Sequence, residues 1–262
     1  MLKSIYTPLS GALAQQKVLD IIANNLSNAN TVGFKQEKVA FKVLDPEPEK
    51  NYVNPLPAAN YKVDFEEMAP FIGNEIDYVE VSGVYRDDSQ GPAINTGNKF
   101  DFMIEGDGYF KVQTPEGERY TRAGSMSLNQ DGVVTDARGN PVMGDGGIIQ
   151  VKSTNFELNS GGEVIVDGEI INKINLYKFS DPAKLEKVGM NHLFYSGPAT
   201  EVSSVERPRI KQGFLEGSNV NPIKNLTTMI LAHRSYEAYQ KSIKNMDSMM
   251  ERSSNSIGTV RV

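Results

Sequence analysis

Cysteine is absent from the 262 residues, so disulfide frameworks, thiolate metal sites and cysteine nucleophiles are all excluded. Histidine is nearly so: His192 and His233 stand far apart, which argues against a histidine-built metal centre. No local cluster of Lys and Arg occurs and the formal net charge is −6, so the basic footprint of a nucleic-acid binder is missing and attraction to anionic membrane surfaces is not expected. No run approaches the ~18 apolar residues of a membrane span. The first residues place one lysine before a mixed stretch interrupted by Gln15, Gln16 and Lys17, which does not read as a secretory signal peptide. A Gly-x-Ser-x-Gly elbow is also lacking, so no serine nucleophile is suggested.

What is present fits a folded chain. Hydrophobic residues make up 39% and charged residues 23%, too apolar for a disordered polymer. The length suits one large domain or two small ones.

The first thirty residues carry a helical stripe: Ile5, Leu9, Ala12, Gln16, Leu19, Ala23 and Leu26 step by four and three, with Leu13 and Ile22 widening it. Thr7 before Pro8 reads as a cap with proline at the first helical position, although a start a few residues earlier is also open. Asn28, Asn30 and Gly33 close the segment, and Gly33 is suited to a positive φ. Residues 34–45 fit either strand or helix. Pro46, Pro48, Pro55 and Pro57 then mark an irregular linker, and Val79–Val84 is a strand candidate.

From about residue 100 to 210 short apolar runs alternate with glycine turns such as Asp107-Gly108, Asp131-Gly132, Arg138-Gly139-Asn140 and Asp167-Gly168. Such spacing predicts an antiparallel β domain. After Asn221 as cap and Pro222 as first residue, Met229, Ala232, Tyr236, Tyr239, Ile243, Met246 and Met250 trace a heptad seam, with the helix expected to end near Arg252. Both terminal helices need a partner for their stripes, because an isolated amphipathic helix is marginal in water. The expected fold is therefore α+β: long N- and C-terminal helices pairing as a coiled-coil-like module around a central antiparallel β-rich domain. The expected boundaries are 1–45, a Pro-rich segment 46–75, a β domain 76–212 and a C-terminal helix segment 213–262.

Several motifs that resemble sites have plainer readings. Aligning Asn129-Gln130-Asp131-Gly132 on a calcium loop puts Arg138 at the position that needs a bidentate carboxylate, so a hairpin turn is expected. Gly106-Asp107-Gly108 and Gly144-Asp145-Gly146-Gly147 are followed by strand-like residues rather than a helix, which disfavours a phosphate cradle. His233 reads as a packing or surface residue. Met246, Met249 and Met250 read as seam, with an adaptable partner surface as the sharper alternative. No catalytic, cofactor or metal residue is assigned.

Residues 23–35, Ala-Asn-Asn-Leu-Ser-Asn-Ala-Asn-Thr-Val-Gly-Phe-Lys, closely resemble the N-terminal signature of the flagellar rod and hook family. Residues 215–222, Leu-Glu-Gly-Ser-Asn-Val-Asn-Pro, with Met229, Ile230, Arg234, Tyr236, Glu237 and Lys241, resemble the motif at the family's other end. Residues 102–112 and 120–125 are similar to the β-domain entry of its rod members. Within the family the chain is most similar to the proximal-rod type, with the distal-rod type close behind.

The resemblance implies a non-catalytic structural subunit of the flagellar basal-body rod that polymerises through its terminal helices. It implies export through the flagellar type III apparatus without a cleaved signal, an address in the periplasm, and partners that are copies of itself and other rod subunits. The assembly interface expected on this basis sets Leu9, Leu13, Leu19, Ile22 and Leu26 against Leu226, Met229, Ile230, Tyr236 and Ile243. Asn24, Asn25 and Asn28 would satisfy amides at the helix end or simply mark its stop. Gly33 would allow a sharp exit anchored by Phe34 beside Lys35, and Asn219, Val220, Arg234 and Glu237 complete the set. Two other classes remain open at this point: a carbohydrate-acting enzyme using acids near Asp131 and Asp136, and a β-rich secreted binding module.

Overall fold

The protein is described here by a computed structural model covering residues 3–44, 78–151, 156–189 and 191–258. It opens with helix α1 (Lys3–Ser27), followed by β1 (Glu37–Leu44) and β2 (Tyr78–Arg86). Short strands follow: β3 (Ala93–Asn95), β4 (Phe102–Ile104), β5 (Phe110–Thr114), β6 (Gly117–Thr121), β7 (Met126–Leu128), β8 (Val134–Asp136), β9 (Val142–Gly144) and β10 (Gly147–Ile148). The series continues with β11 (Phe156–Leu158), β12 (Glu163–Val166), β13 (Glu169–Lys173), β14 (Tyr177–Phe179), β15 (Leu185–Val188), β16 (His192–Tyr195), β17 (Val202–Ser204), β18 (Ile210–Gln212) and β19 (Phe214–Glu216). Helix α2 (Pro222–Gly258) closes the described chain.

The strands pair antiparallel. The largest sheet runs β10-β9-β5-β6-β16-β15, and β11-β12-β13 forms a second, three-stranded one. Glycine turns set the registers as the sequence predicts. At the β12–β13 hairpin, Val166 pairs with Glu169, leaving Asp167 and Gly168 as a two-residue loop, both at positive φ (52° and 87°). That is the twist-matched turn which Asp-Gly favours. Along β5, Phe110 and Val112 are fully buried while Lys111 and Gln113 are not, the period-two alternation of a strand with one face in a core.

The main core gathers Phe102, Ile104, Phe110, Val112, Val134, Val142, Phe156, Val164 and Ile174. A smaller aromatic cluster joins Tyr109, Tyr120 and Tyr195 to Tyr177 and Phe179, with Tyr120 and Phe179 edge to face at 4.7 Å.

The chain divides into two compact units. One holds residues 1–24, 38–85 and 223–262; the other holds residues 25–37 and 86–222. One helix end differs from expectation, and at α1 the earlier of the two open starts is found. Helix α1 starts at Lys3, so Pro8 lies inside it; this near the start, the amide that proline lacks costs at most one bond of the first turns. Helix α2 runs six residues past Arg252, through the serines and asparagine expected to stop it, to Gly258. Residues 34–45, open between strand and helix in the sequence, contain β1, and Val79–Val84 lies within β2. The proline segment 46–75 falls outside the described residues.

Candidate assembly surfaces and the buried junction

The two helices each show a covered and an uncovered apolar face. On α2 the less exposed positions are Asn225, Met229, Ala232, Ser235, Tyr236, Tyr239, Ile243, Met246, Met250 and Ser253, the heptad seam read from the sequence together with three polar positions. On α1 they are Pro8, Gly11, Ala12, Ala14, Ile21, Ile22 and Asn25, with Val18 and Leu19 partly covered. A Cβ placed on Gly11 would come within 2.7 Å of the Tyr239 ring, so these helices touch where one of them has no side chain.

Leu9, Leu13, Leu226 and Ile230 are exposed, and Tyr6, Ile223 and Leu231 join them. The apolar stripe is wider than the covered strip, and the small residues Gly11, Ala12 and Ala14 take the inner positions. Leu26 is partly covered, while Arg234 and Glu237 are exposed.

The signature segment after α1 turns inward instead. Asn25, Phe34, Lys35 and Val220 are buried, and Asn28, Gly33 and Asn219 are partly covered; Asn24 is exposed. The Asn25 amide donates to the Glu37 carbonyl at 2.8 Å and accepts from the Glu37 amide at 2.9 Å, closing the loop 25–37 on itself. Gly33 sits at φ 69°, where a Cβ would lie 2.6 Å from the backbone nitrogen of Ala123, and its amide donates to the Glu216 carbonyl at 2.8 Å. Only glycine combines that backbone angle with that approach.

Lys35 then reaches the Glu216 carboxylate. Nζ lies 2.6 Å from Oε1 and also donates to the Ser89 carbonyl at 2.7 Å. The other carboxylate oxygen takes Arg122 Nε at 2.6 Å, and the Gly91 amide donates to Oε1 at 3.0 Å. Arg122 Nη1 and Nη2 donate to the carbonyls of Gly108 and Gly106. All three charged side chains are buried, Glu216 at 1% exposure. Burial holds the Lys35 ammonium below its ordinary value despite Glu216. Burial alone would raise the Glu216 carboxyl; the Arg122 charge, then the Lys35 hydrogen bond, outweigh it and bring it below the usual range.

A second buried pair joins the large sheet, through β16, to β8 of the separate β7–β8 sheet. His192 Nε2 is 2.7 Å from Asp136 Oδ2, and the Asp136 carboxylate also accepts from the amides of Arg138 and Asn140 and from the Asn140 side chain. Burial would raise this carboxyl; the His192 and Asn140 bonds and the two amides hold it far below the usual range. Asp136 is thus fully engaged in tying a turn, and Asp131 is exposed on another. Asn129 accepts from the amides of Asp131 and Val133, the turn expected there. Among the described residues no group of three or more His, Asp or Glu is placed to hold a metal, and no helix is long and apolar enough to cross a membrane.

The sequence reading places Lys35 in an intersubunit surface and leaves Arg122 and Glu216 without a role. A signal for both exists: each is a charge inside a glycine-flanked apolar motif, Arg122 before Ala123-Gly124 and Glu216 between Leu215 and Gly217. Their pairing across 94 residues has none.

Three family profiles match the chain. Residues 5–35 match "Flagella basal body rod protein", residues 103–166 "Flagellar hook protein FlgE/F/G D1 domain", and residues 211–256 "Flagellar basal body rod FlgEFG protein C-terminal". The chain is 33% identical over 245 residues to the flagellar basal-body rod protein FlgF of Caulobacter vibrioides, covering 92% of each. It is 31% identical to FlgF of Mesorhizobium japonicum, covering 90% of each. To the flagellar basal-body rod protein FlgG of Bacillus subtilis it is 31% identical, covering 96% of this chain and 97% of that one.

Proposed function

This chain belongs to the flagellar basal-body rod protein family, and on that premise we propose that it is a non-catalytic structural subunit of the proximal rod, polymerising through its terminal helices. The observation that carries the assembly reading is the pair of uncovered apolar faces: Tyr6, Leu9 and Leu13 on α1, and Ile223, Leu226, Ile230 and Leu231 on α2. Burying such side chains contributes roughly 1.5–3 kcal/mol each, and contacts that repeat without closing build a helical polymer. The occupants of these faces are copies of this chain and neighbouring rod subunits.

Within one chain, α1 and α2 pair in a coiled-coil-like manner along the seam from Met229 to Met250. The reduced exposure of that seam and the fit of Tyr239 over Gly11 support this pairing. The route is the flagellar type III export apparatus and the destination the periplasm. The proximal position follows the likeness to FlgF relatives; the match to FlgG of Bacillus subtilis over 96% of the chain favours the distal rod as a second reading.

Deleting the gene and imaging purified basal bodies tests the function. Rods that are missing or truncated, and not rescued by Ile230→Asp, support a polymer subunit, and the truncation point separates proximal from distal. Intact rods in motile cells would overturn it.

A further inference from the structure

The chain enters or leaves its β-rich unit after Asn24, Glu37, Tyr85 and Pro222, and hydrogen bonds inside that unit tie the residues beside all four passages into one ring. Asn25 binds Glu37 through both amide atoms. The Gln36 amide donates to Asn219 Oδ1 at 2.7 Å, and the Gln36 carbonyl accepts from the Asp87 amide at 2.8 Å. Asn219 Nδ2 donates in turn to the Asp87 carbonyl at 2.8 Å. Beneath the ring lies the ion triad. Two cations, Lys35 and Arg122, converge on one buried carboxylate, so neither has an anionic partner there if Glu216 is missing.

We propose that residues 25–37 are a latch that closes on the β-rich unit only when the strand carrying Glu216 is in place, so that the last residues of α1, 25–27, are held through that segment by the most C-terminal strand of the unit.

Four features argue for a latch rather than ordinary core. Lys35 and Glu216 are 181 residues apart, so a chain that folds from its N-terminus has no seat for the segment until nearly the whole β-rich unit exists. With Glu216 absent, seating Lys35 would place a buried ammonium beside the Arg122 guanidinium without its contacting carboxylate, which opposes docking. Gly33 meets backbone rather than side chain: it lies against the Arg122–Ala123 peptide and donates to the Glu216 carbonyl, so its seat exists only once both segments are in place. The apolar core of the unit, built from Phe102, Phe110, Phe156 and their neighbours, includes no residue of the segment 25–37. An open latch therefore leaves that core intact. The inference goes beyond the rod reading and does not depend on it.

Amide hydrogen exchange on the purified full-length chain tests it, with Lys35→Met as the first variant. Methionine keeps the length and apolar stem of lysine and leaves Glu216 paired with Arg122. Amides of 25–37 should exchange roughly ten- to a hundredfold faster than in the parent, the range a lost charge-assisted hydrogen bond corresponds to. Amides of β5 and β6 should keep their protection. Glu216→Gln should open the same segment further. Unchanged protection of 25–37 in Lys35→Met overturns the proposal. So does equal loss of protection in 25–37 and in β5–β6 in both variants, because the segment would then be part of the core and not a latch.

Discussion

Tyr239 of α2 lies over Gly11 of α1, with ring carbons 2.7 Å from where a Cβ would stand. In an exposed helix, Gly→Ala stabilises by about 1 kcal/mol through backbone entropy. Here the added methyl meets the ring, so Gly11→Ala should fail to stabilise the purified chain and lower its thermal midpoint. In a Tyr239→Ala background the same change should regain its stabilising sign. A double-mutant cycle by circular dichroism checks this, and a Gly11→Ala effect of equal sign in both backgrounds would show that the helices do not meet there.

Gly33 makes a backbone demand. Alanine at φ 69° with its Cβ 2.6 Å from Ala123 N must move peptide atoms, not a flexible side-chain end. The expected loss is about 1–3 kcal/mol, the range for a strained backbone position. Urea unfolding followed by tyrosine fluorescence measures it.

Asp136 and Glu216 both have carboxyls held below their ordinary range when folded. A depressed folded value contributes stability that is fully present above the unfolded value, near 4 for these residues, and is lost as pH falls through the folded one. Stability should therefore be flat on this account at neutral pH and fall below about pH 4. Asp136→Asn should cost about 1–3 kcal/mol at pH 7, since it weakens the bonds of His192 and two amides. It should also flatten the acid slope. Urea midpoints measured from pH 7 to pH 3 decide it; parallel curves for parent and variant would contradict the assignment.

Ile230 is 56% exposed in the single chain. Ile230→Asp should therefore leave monomer stability within about 0.5 kcal/mol while abolishing incorporation into rods. Leu26, partly covered, should lose both when changed to Asp. Sedimentation and thermal melts on the purified variants, with motility and basal-body imaging in cells, separate the two effects. Normal rods carrying Ile230→Asp would remove this face from the interface.

The α+β layout was legible because each of its parts is written locally. Heptad steps from Met229 to Met250 announce α2 and which side of it is less exposed, since side chains three and four apart share a helix face. Asp-Gly pairs announce hairpins because few other residues tolerate positive φ. Helix ends were less legible: Ser253–Ser256 carries no proline to force a stop, and Pro8 is tolerated where only the first turns are affected. The signature at 23–35 was visible, but its direction was not. Asn25, expected at amides near the helix end, and Phe34, expected to anchor the exit, are buried together with Lys35.

The amino-acid sequence alone determined the order of elements, the helical seams, the turn positions and, through three motifs spread along the chain, the family. Each of these depends on residues close together in the chain or on short strings of them. Tertiary structure alone decided that one carboxylate serves two cations, that Gln36, Asp87 and Asn219 form one ring beside the Asn25–Glu37 bonds, and that Leu9 and Ile230 stay uncovered while Gly11 does not. Those outcomes depend on which distant segments meet, and charge and burial act through distance in space rather than separation along the chain.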